Sequence, residues 1–316
     1  MIEITLEGWQ KPPQLHWALQ RVSEIFPTAE IPPAHLAAPL LRQQQDLFAV
    51  PLTHPSTGAT VTVGQVVGGT ETDGWMVARG GAIVQELYFD GMNPQTRHLL
   101  MSVSKSVVGA VAGALVDGHV LRVDRPLADY VGALSGAGYG SATVRDVLDM
   151  RSGIRFSEEY HDPHSDVRQL EEAFGWAPRI HPHIPDGLYE YLCTLPNGRQ
   201  HGIAYEYRSS ETDALGWVCE AVTGRAMADL VHELIWEPIG AEFAADIAVD
   251  RRGGGMHDGG ISACLRDLVR FGSVFLTDGV AWSGRRVLSE SWITETVTGA
   301  PDSADVFAAS YDGPWM

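Results

Sequence analysis

Lysine is nearly absent from this chain. Only two of its 22 basic residues are lysine, Lys11 and Lys105, and the rest are arginine. Arginine keeps its proton in any protein setting, whereas lysine gives it up when desolvated or set beside another cation. A lone interior lysine in an arginine-rich chain is therefore a candidate for proton chemistry. Basic charge as a whole is also scarce: 22 Lys plus Arg stand against 40 Asp plus Glu, a net charge of −18. Such a surface repels phosphate backbones and anionic bilayers, so neither nucleic acid nor membrane is an expected partner. No apolar run approaches the roughly 20 residues of a spanning helix. The Gly-broken stretch 107–116 reads as a buried helix instead. The start, MIEITLEGWQKPP, has an early acid, no basic n-region and no apolar core, so no secretory signal is read there. Three cysteines, Cys193, Cys219 and Cys264, are odd in number and widely spaced. That excludes a disulfide scaffold and a metal knuckle, and free thiols in a reducing cytoplasm are expected.

Familiar motifs are missing too. There is no G-x-S-x-G elbow and no P-loop, and the Gly cluster at 253–260 lacks a strand–helix setting. His232-Glu233 begins like a zincin motif, but Trp236 stands where the second histidine belongs. His161, His164, His181 and His183, with Asp162 and Asp166, lie in a Pro-rich loop with no rigid helix to fix a coordination geometry. The reading is no metal and no cofactor.

What is present has order. A length of 316 residues suggests about two compact units. A helix is expected around 15–25. Residues 75–79 and 82–89 are apolar β-formers around Gly80-Gly81, the pattern of a two-residue hairpin. Residues 102–117 read as one buried helix closed by Gly118. Thr143 is placed to cap VRDVLDM, and 156–188 reads as a long irregular excursion of the kind that often rims a site. Helices are expected at 214–222, 226–236 and 262–276. The hairpin finds no evident strand partner after residue 89, and a hairpin alone is marginal.

The chemistry gathers at Ser102-Val103-Ser104-Lys105, an S-x-x-K at the start of the buried helix. Residues three apart share a helix face, with Cβ atoms about 5–6 Å apart, so Lys105 can reach the Ser102 hydroxyl. Ser104 and Ser106 do not fit the spacing. The helix N-terminus adds positive field and free N–H groups, which would lower an ammonium pKa and hold an oxyanion. A neutral Lys105 could then accept the Ser102 proton. Tyr207, in YEYRSSETDALGW, can shuttle a proton beside such a lysine.

These residues sit within RHLLMSVSKSVVGAVAGALVDG (97–118), VRDVLDMRSGI (144–154), EEYHDP (158–163), YRSSETDALGWV (207–218) and GGISACLRDLVRFG (259–272). In that order they resemble the serine β-lactamase and penicillin-recognising hydrolases of the class C type, and most of all the 6-aminohexanoate-dimer (nylon-oligomer) hydrolases. The resemblance runs over nearly the whole chain. It implies that Ser102 is the acylated nucleophile, Lys105 its paired base, and Tyr207 the proton donor to the leaving amine, with Ser209 as polar third member. It further implies that Tyr160 contacts the scissile amide, that Glu171 favours a substrate ammonium, and that Trp176 lines the acyl pocket. Asp258 stands where the resemblance implies a neutral or histidine side chain near that loop tyrosine. Such proteins close the site with K-T-G or H-x-G on a late strand, and nothing after Gly272 matches it. His257-Asp258-Gly259 spells H-x-G but precedes a helix.

The expected fold is therefore α+β and β-lactamase/transpeptidase-like. An antiparallel sheet flanked by helices would comprise residues 1–120 and 241–316, with the C-terminal strands apparently missing. A mostly helical unit would comprise 121–240. The expected function is a serine hydrolase that cleaves linear amides or short-chain esters through an acyl-enzyme on Ser102. The partner is a small-molecule amide or ester, and an incomplete sheet edge would leave room for a homodimer. The alternative is a truncated or inactive binding protein that keeps the cleft without completing the oxyanion hole.

Overall fold

A computed structural model of the chain describes residues 4–310. The hairpin forms as its turn dictates. Gly74–Arg79 and Ala82–Tyr88 pair antiparallel with Arg79 opposite Ala82. Gly80 and Gly81 both take positive φ, 56° and 78°, which a type I′ turn requires. The strand partner that the sequence hid lies before the hairpin: Leu41–Arg42 adds in parallel to Ala82–Ile83. A second sheet carries the site. Its order is Thr28–Ile31, Ala245–Ala248, Ile261–Ala263 and His98–Leu99, all antiparallel. These strands are two to four residues long and three are joined only by distant segments, so no run of alternating residues announces them.

The expected helix at 262–276 is shorter at its start. Ile261–Ala263 is strand, Cys264 is the N-cap, and Leu265–Leu276 is helix. The expected helix at 15–25 is two pieces, Leu15–Leu19 and Val22–Ile25, parted where Arg21 leaves helical geometry. Inside the 156–188 excursion, Asp166–Phe174 is helical and ends on Gly175 in the left-handed region. Thr143 caps Val144–Leu148 in a full capping box with Asp146, as its spacing requires.

The Ser104–Asp117 helix is the spine. Val107, Val108, Val111, Ala112 and Leu115 are buried, and the helix packs against Ser209–Thr223. That second helix fits closely because of one residue: a Cβ on Gly216 would stand 2.2 Å from the His257 ring. The two helices and the second sheet thus bring three segments to one place: the turn at 101–105, the loop before Ser209, and the loop at 257–258. No helix among the described residues is long and apolar enough to cross a membrane. All three cysteines are free.

Candidate active site

The strand His98–Leu99 hands the chain to a tight turn at Met101–Val103, and the helix Ser104–Asp117 follows. Met101 holds φ at 45°, a left-handed value that is costly for a branchless but bulky side chain. This turn leaves Ser102 exposed while Ser104, two residues on, is wholly buried and accepts a hydrogen bond from the Ile261 N–H at 3.1 Å. The two serines are separated by structure as the spacing separates them by chemistry.

Around Ser102 Oγ two donors converge. Lys105 Nζ lies at 3.1 Å and Tyr207 Oη at 2.8 Å. The Lys105 ammonium stands 5.2 Å from the centre of the Tyr207 ring. Lys105 Nζ also donates to the Asp258 carbonyl at 2.8 Å, with the Asp258 carboxylate at 3.7 Å. Tyr207 is delivered by the loop ahead of the Ser209–Thr223 helix. The three side chains edge a cavity of about 1130 Å³, which reaches from Ser102 to Phe271, Phe275 and Trp292.

The electrostatics differ from the neutral lysine expected above. Burial pulls the Lys105 ammonium down, but the Asp258 carboxylate, then Tyr207 and Asp213, outweigh it, and the net shift is upward. Lys105 is a charged donor in the resting site. The largest of the raising groups, Asp258, sits on a loop that spacing alone did not bring to Lys105. Asp213 is fully buried on the Ser209–Thr223 helix, and its Oδ1 accepts from the N–H groups of His257 (2.9 Å) and Asp258 (3.0 Å). It thereby holds the loop whose carbonyl anchors Lys105. Burial, and next the charge of Asp258, push the Asp213 carboxyl well up. The one signal for it in the sequence is an acid among the apolar residues of a buried helix face.

The remaining expected residues lie outside the lining of the cavity beside Ser102. Tyr160 is half exposed, and its hydroxyl donates to Glu158 at 2.5 Å. Burial, helped by that carboxylate, pushes its phenol up. Ser209 does not join Tyr207 at the nucleophile. It is buried, and both its hydroxyl (2.6 Å) and its N–H (3.0 Å) go to Glu158. Glu158 is therefore the bracket between the Tyr160 loop and the Tyr207 segment, a residue the motifs did not single out. Glu171 is buried and already paired with Arg168 at 2.6 Å, with Gln10 at 3.3 Å. Burial nonetheless leaves its carboxyl above the ordinary value, against the pull of Arg168. Trp176 departs from expectation. It is buried among Trp9, Phe26 and Phe174, with ring centres 5.1–5.7 Å away, and does not line the cavity beside Ser102. A large indole gains more from that aromatic cluster than from a wet wall. The loop histidines bond to one another and to acid: His164 Nδ1 meets His181 Nε2 at 2.9 Å, and His181 Nδ1 meets Glu172 at 2.7 Å.

A family model described as Beta-lactamase matches residues 60–316. The chain belongs to the beta-lactamase family. It is a serine hydrolase of that family. The 6-aminohexanoate-dimer hydrolase of Paenarthrobacter ureafaciens is 37% identical over 305 residues, which is 96% of this chain and 74% of that protein. A D-aminopeptidase of Brucella ovis is 32% identical over 164 residues, 50% of this chain and 28% of that protein. In three dimensions the fold matches a structure from Bacillus anthracis assigned as a 6-aminohexanoate-dimer hydrolase. The TM-score is 0.87 at 24% identity, over 94% of this chain and 77% of that one. The α+β, β-lactamase-like fold expected from the motif order is the fold of this family member.

Behind the site the same helix carries a pH-sensitive acid. Glu211 is fully buried, with the Ser152 hydroxyl on Oε1 at 2.5 Å and Arg208 at 3.4 Å. Burial pushes its pKa up to about 8, against the Ser152 bond and the Arg208 charge. The folded chain therefore holds a proton that the unfolded chain releases at lower pH. Its stabilising share is full below the ordinary glutamate range and is lost as pH rises through about 8. Thermal melts of wild type and Glu211→Gln at pH 5, 7 and 9 should show the variant gaining on wild type as pH rises. A variant that loses ground to wild type toward pH 9 would contradict this account.

Proposed function

We propose that this chain hydrolyses linear amides and short-chain esters through an acyl-enzyme on Ser102. The observation that carries the reading is the convergence of Lys105 Nζ at 3.1 Å and Tyr207 Oη at 2.8 Å on one exposed hydroxyl. Ser102 Oγ attacks the carbonyl carbon. Its proton passes to Tyr207 Oη as the Tyr207 proton passes to the leaving nitrogen or oxygen, so the C–N or C–O bond breaks without a net base. Lys105 stays an ammonium and stabilises negative charge on Oγ and Oη as it develops. Water then attacks the ester, and the relay runs backward to return the proton to Ser102.

Tyr160, Glu171 and Asp258 are the residues that the family resemblance would set at the amine side of a substrate. Two of these are acids, and no arginine or lysine beyond Arg168 and Lys105 pairs with them among the described residues. Each acid thus has one cation partner, and the preference for a linear amide whose leaving portion carries an ammonium rests on the substrate in the name of the Paenarthrobacter relative, with Glu171 and Asp258 as the acids that would meet it. A cytoplasmic place of action fits the three unpaired cysteines.

The test compares a linear amide bearing a free amine with its N-acetylated form and with a short-chain ester. The free amine should raise kcat/KM for the amide by about tenfold, the weight of one partly buried charge pair. Glu171→Gln should reduce that preference while leaving ester hydrolysis within about twofold, since the ester carries no charge for it to meet. Folded protein that turns over none of the three would end the proposal.

A further inference from the structure

On the far side of the strand that leads to Ser102, four separate segments bring imidazoles and carboxylates together. His16 comes from the Leu15–Leu19 helix, Glu71 and Asp73 from the turn before the hairpin, Asp90 from the turn after it, and His98 from the strand four residues ahead of Ser102. The ligand atoms of His16, Asp73 and Asp90 all lie within 4.8 Å of one another. His16 faces a carboxylate with each ring nitrogen: Nδ1 meets Asp73, and Nε2 meets Glu71 at 3.1 Å. His98 Nδ1 meets the Leu99 carbonyl at 2.8 Å and Nε2 meets Asp73 Oδ2 at 3.0 Å. Every ring nitrogen in the group therefore faces an acceptor. A neutral imidazole has one N–H and cannot serve two acceptors. Among the described residues no arginine or lysine forms an ion pair with Glu71, Asp73 or Asp90, so the cluster has no fixed cation.

A second observation is independent of that count. Gln20 is 94% buried at the cluster's edge, being 6% exposed. Its Nε2 donates to Asp73 Oδ2 at 3.1 Å and to the Asp90 carbonyl at 3.3 Å. Its Oε1 has no partner. Turning the amide over would set that oxygen against two acceptors, so the orphan is a property of the site. What faces the cluster is the buried amide nitrogen, which holds Asp73 by Oδ2 and leaves Oδ1 turned to His16.

We propose that His16, Asp73 and Asp90 bind a divalent metal ion of zinc type, with His98 and Gln20 orienting Asp73 through its second oxygen. One imidazole and two carboxylates, with a water in the fourth place, suit zinc rather than magnesium, which prefers an all-oxygen octahedron. Hydrogen bonds to the far oxygen of a ligating carboxylate are the usual support for such a site. Tetrahedral bonds of ~2.0–2.1 Å put ligand atoms roughly 3.3 Å apart, so the side chains need to move by about an ångström. The ion takes the place of protons: His16 binds through a lone pair and releases its shared proton to solvent. The role is structural. The metal ties the N-terminal helix to the turns on either side of the hairpin, and the His98–Asp73 bond carries that anchor to the strand ahead of Ser102. Nothing in this depends on the reaction proposed above.

The experiment is calorimetric titration of chelator-stripped full-length protein with zinc chloride at pH 7.5, repeated with magnesium chloride. The variants are His16→Gln, on the partly exposed side, and Asp73→Asn, which keeps a polar group for Gln20. His181→Gln is the control for the separate histidine loop. Wild type and His181→Gln should bind about one zinc and no magnesium, release protons on binding, and melt at higher temperature with zinc. His16→Gln should lose about a hundredfold in zinc affinity or more while melting normally without metal. Zinc that binds His16→Gln as tightly as wild type, binding lost instead in His181→Gln, or no zinc binding at all would each overturn the proposal. If Asp73→Asn fails to fold, His16→Gln alone decides.

Discussion

Ser102→Ala is expected to lower kcat for both amide and ester hydrolysis by about 10⁴-fold or more, with KM changed little. Ser102 is exposed, and Lys105 keeps the Asp258 carbonyl as acceptor when the Ser102 hydroxyl is removed, so the melting temperature should stay close to wild type. Intact-mass spectrometry after brief exposure to an activated short-chain ester should show one acyl adduct on wild type and none on the variant. Ser104→Ala is the informative contrast. Its hydroxyl is buried and accepts the Ile261 N–H, so its loss should cost stability, about 1–3 kcal/mol for the unpaired N–H, and leave acylation in place. An adduct that persists in Ser102→Ala, or disappears in folded Ser104→Ala, would move the nucleophile elsewhere.

The contrast between these two serines shows how far a sequence reads on its own. The i, i+3 rule selects Ser102 over Ser104 and Ser106, because helical spacing is local geometry. The hairpin turn, the Thr143 cap and the buried Ser104–Asp117 helix were legible for the same reason. The sheet that supports the site was not. Its strands are two to four residues long and come from positions 28, 98, 245 and 261, so only long-range pairing defines them. For similar reasons Trp176 and Ser209 have partners that motif position does not show. Motif position placed them at the cleft, but an aromatic cluster claims the indole and Glu158 claims the hydroxyl. The charge of Lys105 is the deepest case. Its helix position argues for a neutral amine, and the groups that outweigh burial, Asp258 and then Tyr207, are more than a hundred residues away in the chain.

That charge has a consequence large enough to decide the mechanism. Lys105→Ala is expected to lower kcat by about 10³-fold, the upper range for removing one preorganised donor to a developing oxyanion. Lys105→Arg should recover at least about tenfold of that loss, because guanidinium supplies the charge though not the geometry. A neutral lysine base predicts the reverse, since arginine cannot accept a proton and would be as inactive as alanine. The pH dependence gives a second, independent sign. If the ammonium is the working form, activity is lost as pH rises through the Lys105 pKa. The Asp258 carboxylate is the largest influence holding that pKa above the lysine value. Asp258→Asn should therefore bring the alkaline loss to lower pH, and the variant should fall further behind wild type between pH 8 and about 10, the ordinary lysine range. Were the neutral amine the working form, the same substitution would populate it earlier and the variant would gain on wild type over that range. Rates of ester hydrolysis by the two proteins across those pH values, with folding checked at each, separate the two outcomes by sign. The ammonium reading requires that Asp258→Asn lose ground.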